Sequence, residues 1–217
     1  MKFSAILPMK YNSQRVPEKN WRILKDKPLF LWILNKLEKI EHINEIIINT
    51  DSEILIDKVS SYNCKKVLFH KRSKELEGDD VSMNLIINET LKSCKNEFIL
   101  QTHTTNPFLE ISTIEKCLKE YIEQKNPILT TTLLKERIYD DNGLPVNHDI
   151  NNLIQTQDLP NYSYENSCLY IFSKEQFDFN KNRVVENSKL FYLDKIESHD
   201  IDTEEDFKIA EILAELL

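Results

Sequence analysis

The sequence predicts an α/β protein built on a mainly parallel, doubly wound sheet. Two observations carry that prediction. Short strand-like runs alternate with amphipathic helical runs, in the order βαβαβαβαβ that places helices on both faces of a sheet. The strand-like runs are also continuously apolar, as in "NEIIINTD" at 44–51, which is the pattern of strands covered on both faces. With 217 residues, 41% of them hydrophobic, the chain is long enough for one such domain and its core.

The elements follow in order. "KFSAILP" at 2–8 is the first strand, and "PLFLWILNKLEKI" at 28–40 puts Leu29, Trp32, Ile33, Leu37 and Ile40 on one helical face. After the second strand, "SEILIDKVSSY" is helical, "KKVLFH" a strand, "DVSMNLIINETLKSC" helical and "NEFILQTH" a strand. "STIEKCLKEYIEQ" reads as a helix opened by a capping box, with Ser112 as N-cap and Glu115 three residues on. "PILTTTLL" is the fifth strand. The pattern then breaks: residues 135–165 are polar and irregular, with Asn142-Gly143 as a hairpin turn. Strands "NSCLYIFS" and "KLFYLD" and the helix "TEEDFKIAEILAELL" complete a single domain, 1–217, in which 135–165 is an insert. Loops of that length in a compact domain are usually functional or mobile.

Bulk properties exclude several classes. A formal charge of −8 argues against general nucleic-acid binding, which needs a broad basic face. Cys64, Cys94, Cys117 and Cys168 lack CxxC spacing and read as reduced thiols of a cytoplasmic protein. The apolar part of the N-terminus is too short for a signal peptide, and no run approaches the ~20 apolar residues of a membrane span. His42, His70, His103, His148 and His199 show no metal-ligand spacing.

Three stretches carry the chemistry. "LPMKYNSQRVPEKN" at 7–20 follows the first strand and gathers Lys10, Arg15 and Lys19, with Arg22 beyond. Ligands of doubly wound sheets bind at the carboxyl ends of strands, where loop N–H groups and cations surround phosphates. The loop has no glycine, so Asn12 is the residue best suited to a left-handed backbone there. A solvated surface loop is the competing reading. In "SHDIDTEEDF" at 198–207, Asp200 and Asp202 are two apart, so in extended backbone they face the same way and suit one Mg²⁺ shared with ligand phosphates. Helix capping by Asp202 or Thr203 is the alternative. "ILQTHTTNPFLE" at 99–110 places Gln101, His103, Thr104, Thr105 and Asn106 at the end of the fourth strand, where substrate contacts belong.

These stretches resemble the cytidylyltransferases that make CMP-activated acidic sugars, the CMP-sialic acid synthetases (acylneuraminate cytidylyltransferases) and their relatives. The first loop is similar to the family's A-R-x-x-S-K-x-x-P-x-K-N, with Ser13, Pro17, Lys19 and Asn20 matching and Lys10 where the family has Arg. "NTDSE" at 49–53, "RSKELEGDDVS" at 72–82, "TNPFL" at 105–109, "ENSCLYIF" at 165–172 and "DIDTEEDF" at 200–207 resemble further family segments in the same order. The resemblance implies a Rossmann-like, GT-A-like nucleotidyltransferase fold. It also implies transfer of CMP from CTP to an anionic acceptor such as a nonulosonic acid, with release of pyrophosphate, for surface glycan biosynthesis. It assigns Lys10, Asn12, Ser13, Arg15, Lys19 and Asn20 to the triphosphate, and Arg72 and Ser82, with Asp79 or Asp80 nearby, to the nucleoside. His103, Thr105, Asn106, Tyr164 and Asn166 fall to the acceptor, and Asp200 and Asp202 to Mg²⁺, with Mn²⁺ as a substitute. Lys19, Arg15, Asp200 and Asp202 are then the catalytic set, and the insert a homodimerisation arm.

Two departures bear on the acceptor. Tyr164 stands where many sialic acid synthetases have an Arg facing the sugar carboxylate, and Leu109 replaces another family Arg. Arg137, Arg183 or a charged His103 are the candidates to replace them. 3-Deoxy-octulosonate, a phosphonate or a sugar phosphate is the alternative acceptor. A GT-A-like glycosyltransferase and a catalytically silent scaffold are the alternative functions.

Overall fold

Every residue of the first strand is buried, and the strand lies near the middle of the sheet around which the chain is wound. The computed structural model describes residues 1–78 and 80–217. In chain order the strands are β1 (Phe3–Met9), β2 (Ile23–Leu24), β3 (Lys27–Pro28), β4 (Ile43–Thr50), β5 (Val67–Lys71), β6 (Phe98–Thr102), β7 (Ile128–Leu134), β8 (Tyr162–Ser173) and β9 (Lys189–Leu193). The helices are α1 (Leu29–Lys39), α2 (Glu53–Ser60), α3 (Met83–Thr90), α4 (Ile111–Gln124), α5 (Lys174–Asn180) and α6 (Glu204–Leu216). Among the described residues the main sheet has seven strands in the order β5-β4-β1-β6-β8-β7-β9. All neighbours are parallel except β8, which runs antiparallel to both β6 and β7. No helix of the described residues is long and apolar enough to cross a membrane.

The period of two along β1 builds both layers. Phe3, Ala5, Leu7 and Met9 pack with Phe30 and Leu34 of α1, Leu55 and Val59 of α2, and Ile114 and Leu118 of α4. Ile6, with Ile47 and Ile99 on the neighbouring strands, packs on the other face against Ile87 of α3 and Phe177 of α5. A third cluster positions the site. Val16 of the first loop and Ile201 between the two aspartates are fully buried with Leu29, Phe207 and Ala210. Burying each such side chain is worth roughly 1.5–3 kcal/mol, so the first loop and the 200–202 segment are pinned to one apolar floor.

Several local expectations are corrected. Helix α4 begins two residues earlier than a Ser112 cap implies, at Ile111 after Glu110, and Ser112 is inside its first turn, donating to Glu110 Oε2 at 3.3 Å. The left-handed residue of the first loop is Glu18 (φ 55°), not Asn12. Its carbonyl accepts from the N–H groups of Trp21 and Arg22 at 3.0 and 2.9 Å, and turning the carbonyl back after Pro17 requires that backbone. β8 starts at Tyr162, so the insert proper is 135–161. Its hairpin forms as expected, with Gly143 at φ 77° and its N–H on Asp140 O at 2.9 Å. Helix α5, opened by a Ser173–Gln176 capping box, has a sequence signal that periodicity alone passes over.

Because Ile6 faces α3 and α5 from the sheet's centre with no exposed surface, Ile6→Ala should cost about 2–5 kcal/mol. Urea denaturation should show a lower midpoint with an unchanged slope.

Candidate active site

The loop after β1 leaves the carboxyl end of its strand beside those of β4 and β6, which run parallel to it. Val16 anchors the loop below, and the turn at Glu18 directs Lys19 back over the sheet. Lys19 Nζ donates to Ile201 O at 2.7 Å and lies 3.6 Å from Asp202 Oδ1. Its side chain is 12% exposed. Burial pulls its pKa down, and Asp202 and then Asp200 pull it back up. Arg15, largely exposed, donates from Nη2 to Asp202 Oδ1 at 2.8 Å. Arg22 points elsewhere. Its guanidinium grips both oxygens of Glu204 at 2.9 and 2.7 Å and lies 3.9 Å over the Phe207 ring, fixing α6 rather than facing a ligand.

The two aspartates are not the caps of α6. Thr203 is the N-cap, and Asp206 closes the capping box, accepting at Oδ2 from the N–H groups of Asp202 and Thr203 at 3.0 and 2.8 Å. Asp200 and Asp202 are therefore left for another use. Thr105 hydrogen-bonds Asp200, but burial still raises the carboxyl's pKa, and its Oδ1 is buried with no hydrogen-bond partner. A buried carboxylate oxygen without a donor, beside a second carboxylate two residues on, fits Mg²⁺, which takes one or two carboxylates and completes its shell with phosphate and water. Among the described residues no cluster of three or more His, Cys, Asp or Glu forms a self-sufficient metal site.

A cavity of about 510 Å³ opens between these groups. From the first loop Lys10, Asn12, Ser13, Arg15, Lys19 and Asn20 line it; from β5 onward Arg72, His103, Thr105, Asp200 and Asp202 join them. Arg72 is fixed by Asn49, whose side-chain and main-chain oxygens accept from it at 2.7 and 3.3 Å, while its Nη1 has no partner among the described residues. Lys10 Nζ donates to Gly78 O. A second cavity, about 490 Å³, adjoins the first, Ser167 and Asp200 belonging to both walls. Tyr164 and Asn166 line the second, with Glu165, Lys195 and His199.

Other assignments change. Asn20 lines the cavity and also holds the loop in place, Nδ2 donating to Lys10 O at 2.7 Å and Oδ1 accepting from Thr104 at 2.5 Å. Ser82 caps α3, accepting from Asn84 N at 3.3 Å, and lines neither cavity. Asn106 is wholly buried behind the wall, both amide atoms unpartnered. Asn166 locks β8 to β7, accepting from Thr130 at 2.7 Å and donating to Thr132 at 3.0 Å. Asp79 lies outside the described residues. Arg137 donates to Ile154 O within the insert and reaches neither cavity, whereas Arg183 lines the first. Ser167 was not anticipated. It sits at φ 57° in a bulge of β8, where the resembled pattern has Gly, and the bulge turns it into both cavities. Lys195 was missed because it follows the last strand in an ordinary polar stretch.

His103 is not a cation. Burial, helped by Arg183 and Lys19, pulls its pKa down to about 3, so the imidazole is neutral at pH 7.

A doubly wound sheet whose first loop sets cations against a carboxylate pair suits the phosphates of a nucleotide, and the chain is of the nucleotidyltransferase class. More particularly, the chain belongs to the cytidylyltransferase family, whose model it matches over residues 4–216. It is 27% identical to the CMP-N,N'-diacetyllegionaminic acid synthase of Legionella pneumophila, over 100% of this chain and 97% of that protein. It is 24% identical to the post-translational flagellin modification protein B of Campylobacter coli, over 93% and 90%. Among solved structures, a CMP:2-keto-3-deoxy-manno-octonic acid synthetase complexed with CTP superposes with a TM-score of 0.72 over 100% of each chain, at 12% identity.

A histidine neutral when folded and titrating near 6.5 when unfolded withdraws stability as pH falls through 6.5, because the unfolded chain then binds the extra proton. Between pH 6.5 and 5 this should remove up to about 1.5 kcal/mol. His103→Gln should abolish that part of the loss, measured as denaturation free energy at the two pH values.

Proposed function

We propose that this cytidylyltransferase transfers CMP from CTP to a hydroxyl of a nonulosonic acid or a related acidic 2-keto sugar. The observation that carries the reading is the pairing, across one cavity, of Lys19 and Arg15 with Asp200 and Asp202. The acceptor hydroxyl gives up its proton to solvent and forms a bond to the α-phosphorus of CTP, the bond to the β-phosphate bridge breaks, and pyrophosphate leaves. Lys10, Arg15 and Lys19 hold the triphosphate, and Arg72 lies on the wall toward the nucleoside. Asp200 and Asp202 would hold Mg²⁺, which when bound neutralises phosphate charge. Fixed groups that match developing charge supply much of the acceleration in such transfers. A glycosyltransferase is not favoured, since Asp200 and Asp202 follow the last strand and the cation loop suits three phosphates.

The second cavity is the place for the body of the acceptor, whose reacting end passes Asp200 and Ser167 into the first cavity, where His103 is on the wall. Tyr164, Lys195 and His199 on its wall offer the acceptor hydrogen-bonding and cationic groups. The names of the relatives support a nonulosonic acid; 3-deoxy-octulosonate is the second reading, favoured by the solved neighbour. CTP should raise the melting temperature in Mg²⁺ buffer more than ATP or GTP, by about 2.7 kcal/mol of stabilisation at 100 times Kd. Equal shifts with all three would count against a cytidine site.

Asp200→Asn separates a metal carboxylate from a structural one. It removes a buried charge, so the metal-free melting temperature should hold or rise, while turnover in a pyrophosphate-release assay falls at least about tenfold. Lys19→Ala should lose as much turnover, and near-normal rates in both would sink the assignment.

The insert supports a homodimer. Leu144, Ile150 and Leu153 are 60%, 58% and 61% exposed, with Val146 and Ile154 beside them. Apolar side chains at that density suit burial against a second copy. Light scattering at micromolar concentration should give twice the 25.7 kDa chain mass; a monomer would overturn the dimer.

A further inference from the structure

Arg183 reaches the first cavity from the segment between α5 and β9, and it is wired. Its guanidinium lies 4.0 Å over the Tyr170 ring. Nη2 donates to Tyr170 Oη at 3.3 Å, and Tyr170 in turn donates to Glu165, a residue of the second cavity's wall. Nη1 donates to Gln101 Oε1 at 2.8 Å. Gln101 is completely buried in β6, and its Nε2 lies 2.8 Å from His103 Nε2 and 3.3 Å from Thr102 O.

The direction of every proton in this chain follows from Arg183. A guanidinium has donors only. The Gln101 atom facing it must therefore be the carbonyl oxygen, which turns the amide nitrogen toward Thr102 O and His103 Nε2. Thr102 O is an acceptor, so the amide orientation is satisfied on both sides. His103 Nε2 must then accept, and the ring proton of the neutral imidazole sits on Nδ1. The opposite orientation would set a carbonyl against nothing that donates at Thr102 and an NH₂ group against a cation.

We propose that Arg183 is a positioning residue that, through Gln101, fixes His103 as the Nδ1–H tautomer, so that the ring offers the acceptor sugar a neutral hydrogen-bond donor rather than a cation. This rests on the acceptor reading above for what the donor meets, but not for the tautomer itself. It also changes what the cavity selects. A neutral donor meets a hydroxyl or carboxylate oxygen at fixed geometry without demanding a full charge, so discrimination lies in position. A tautomer set by a second residue is a recurrent device where a ring nitrogen has to present one role only. Glu165 ties the same chain to the second cavity: Tyr170 donates to that carboxylate and is left to accept from Arg183, so the donors run outward from the guanidinium in both directions.

The test is a ¹⁵N-histidine NMR spectrum of the free full-length protein, with the His103 signals identified by their absence in His103→Gln. Wild type should show a protonated Nδ1 and an unprotonated Nε2. Arg183→Lys, which keeps a donor for Gln101 Oε1, should retain that pattern, and Arg183→Met should mix the two tautomers. Gln101→Glu presents a carboxylate to both neighbours, so the ring proton should move to Nε2. In that variant KM for the nonulosonic acid turned over fastest should rise at least about tenfold, with the melting shift given by CTP and Mg²⁺ unchanged. A wild-type ring protonated on Nε2, or one pattern shared by wild type and Arg183→Met, would overturn the proposal. Either spectrum is read without substrate, so failure of the tautomer and failure of the acceptor assignment are distinguishable.

Discussion

A lysine ammonium that is nearly enclosed by its own protein has to be answered by oxygen atoms at hydrogen-bond distance, and Lys19 is answered by Ile201 O and Asp202. The rest of the site depends on that contact. It joins the loop after the first strand to the segment before the last helix, two pieces of chain about 180 residues apart. Val16 and Ile201, buried in one cluster beneath it, set the spacing. With Ile201 facing the floor, extended backbone turns Asp200 and Asp202 to the opposite side, where the cations are. Arg22, gripping Glu204 and stacked on Phe207, holds α6 in register with the same loop.

How much of this was legible in the sequence follows from the kind of signal each part leaves. The layered sheet was legible because period two and period 3.6 are written in apolar side chains, as Ile46, Ile47 and Ile48 show by packing on alternate faces. The cation loop and the aspartate pair were legible because charge is costly to gather without a partner, and each stretch is short and contiguous. Ser82, assigned to the nucleoside, caps α3, and Asn20 and Asn166 brace the frame while lining the cavities, because an amide or hydroxyl has the same appearance in sequence whether it meets a backbone group or a substrate. The insert's length was legible and its end was not: Tyr162–Glu165 are polar or exposed on the free face, yet their backbone already pairs with β7. The reversed direction of β8 left no local trace at all, since direction is a property of the connections and not of the strand. Lys195 escaped as a site residue, and Arg183 could be named only as an alternative to Arg137, for a related reason: each lies in a polar loop whose position depends on the fold around it.

The charges of the site are held in a state that favours ligands. Burial lowers the pKa of Lys19 and Arg183 and raises that of Asp200. Each shift records a charge less well solvated than it would be in water. Such groups are already ordered and partly desolvated, so a charged ligand that meets them gains their interaction without again paying that cost. The pair between Arg15 and Asp202 is a different matter. Arg15 is 65% exposed and Asp202 45%, and exposed pairs of this kind are worth about 0–1 kcal/mol. Their separation is cheap, and in the proposed reaction it would free a guanidinium for phosphate oxygens and a carboxylate for a cation at the same time. The enclosed lysine supplies the fixed geometry, and the exposed arginine supplies the part that can move. On the proposed reading, a triphosphate loop built without glycine would need both, because its side chains rather than its backbone N–H groups would follow the phosphates.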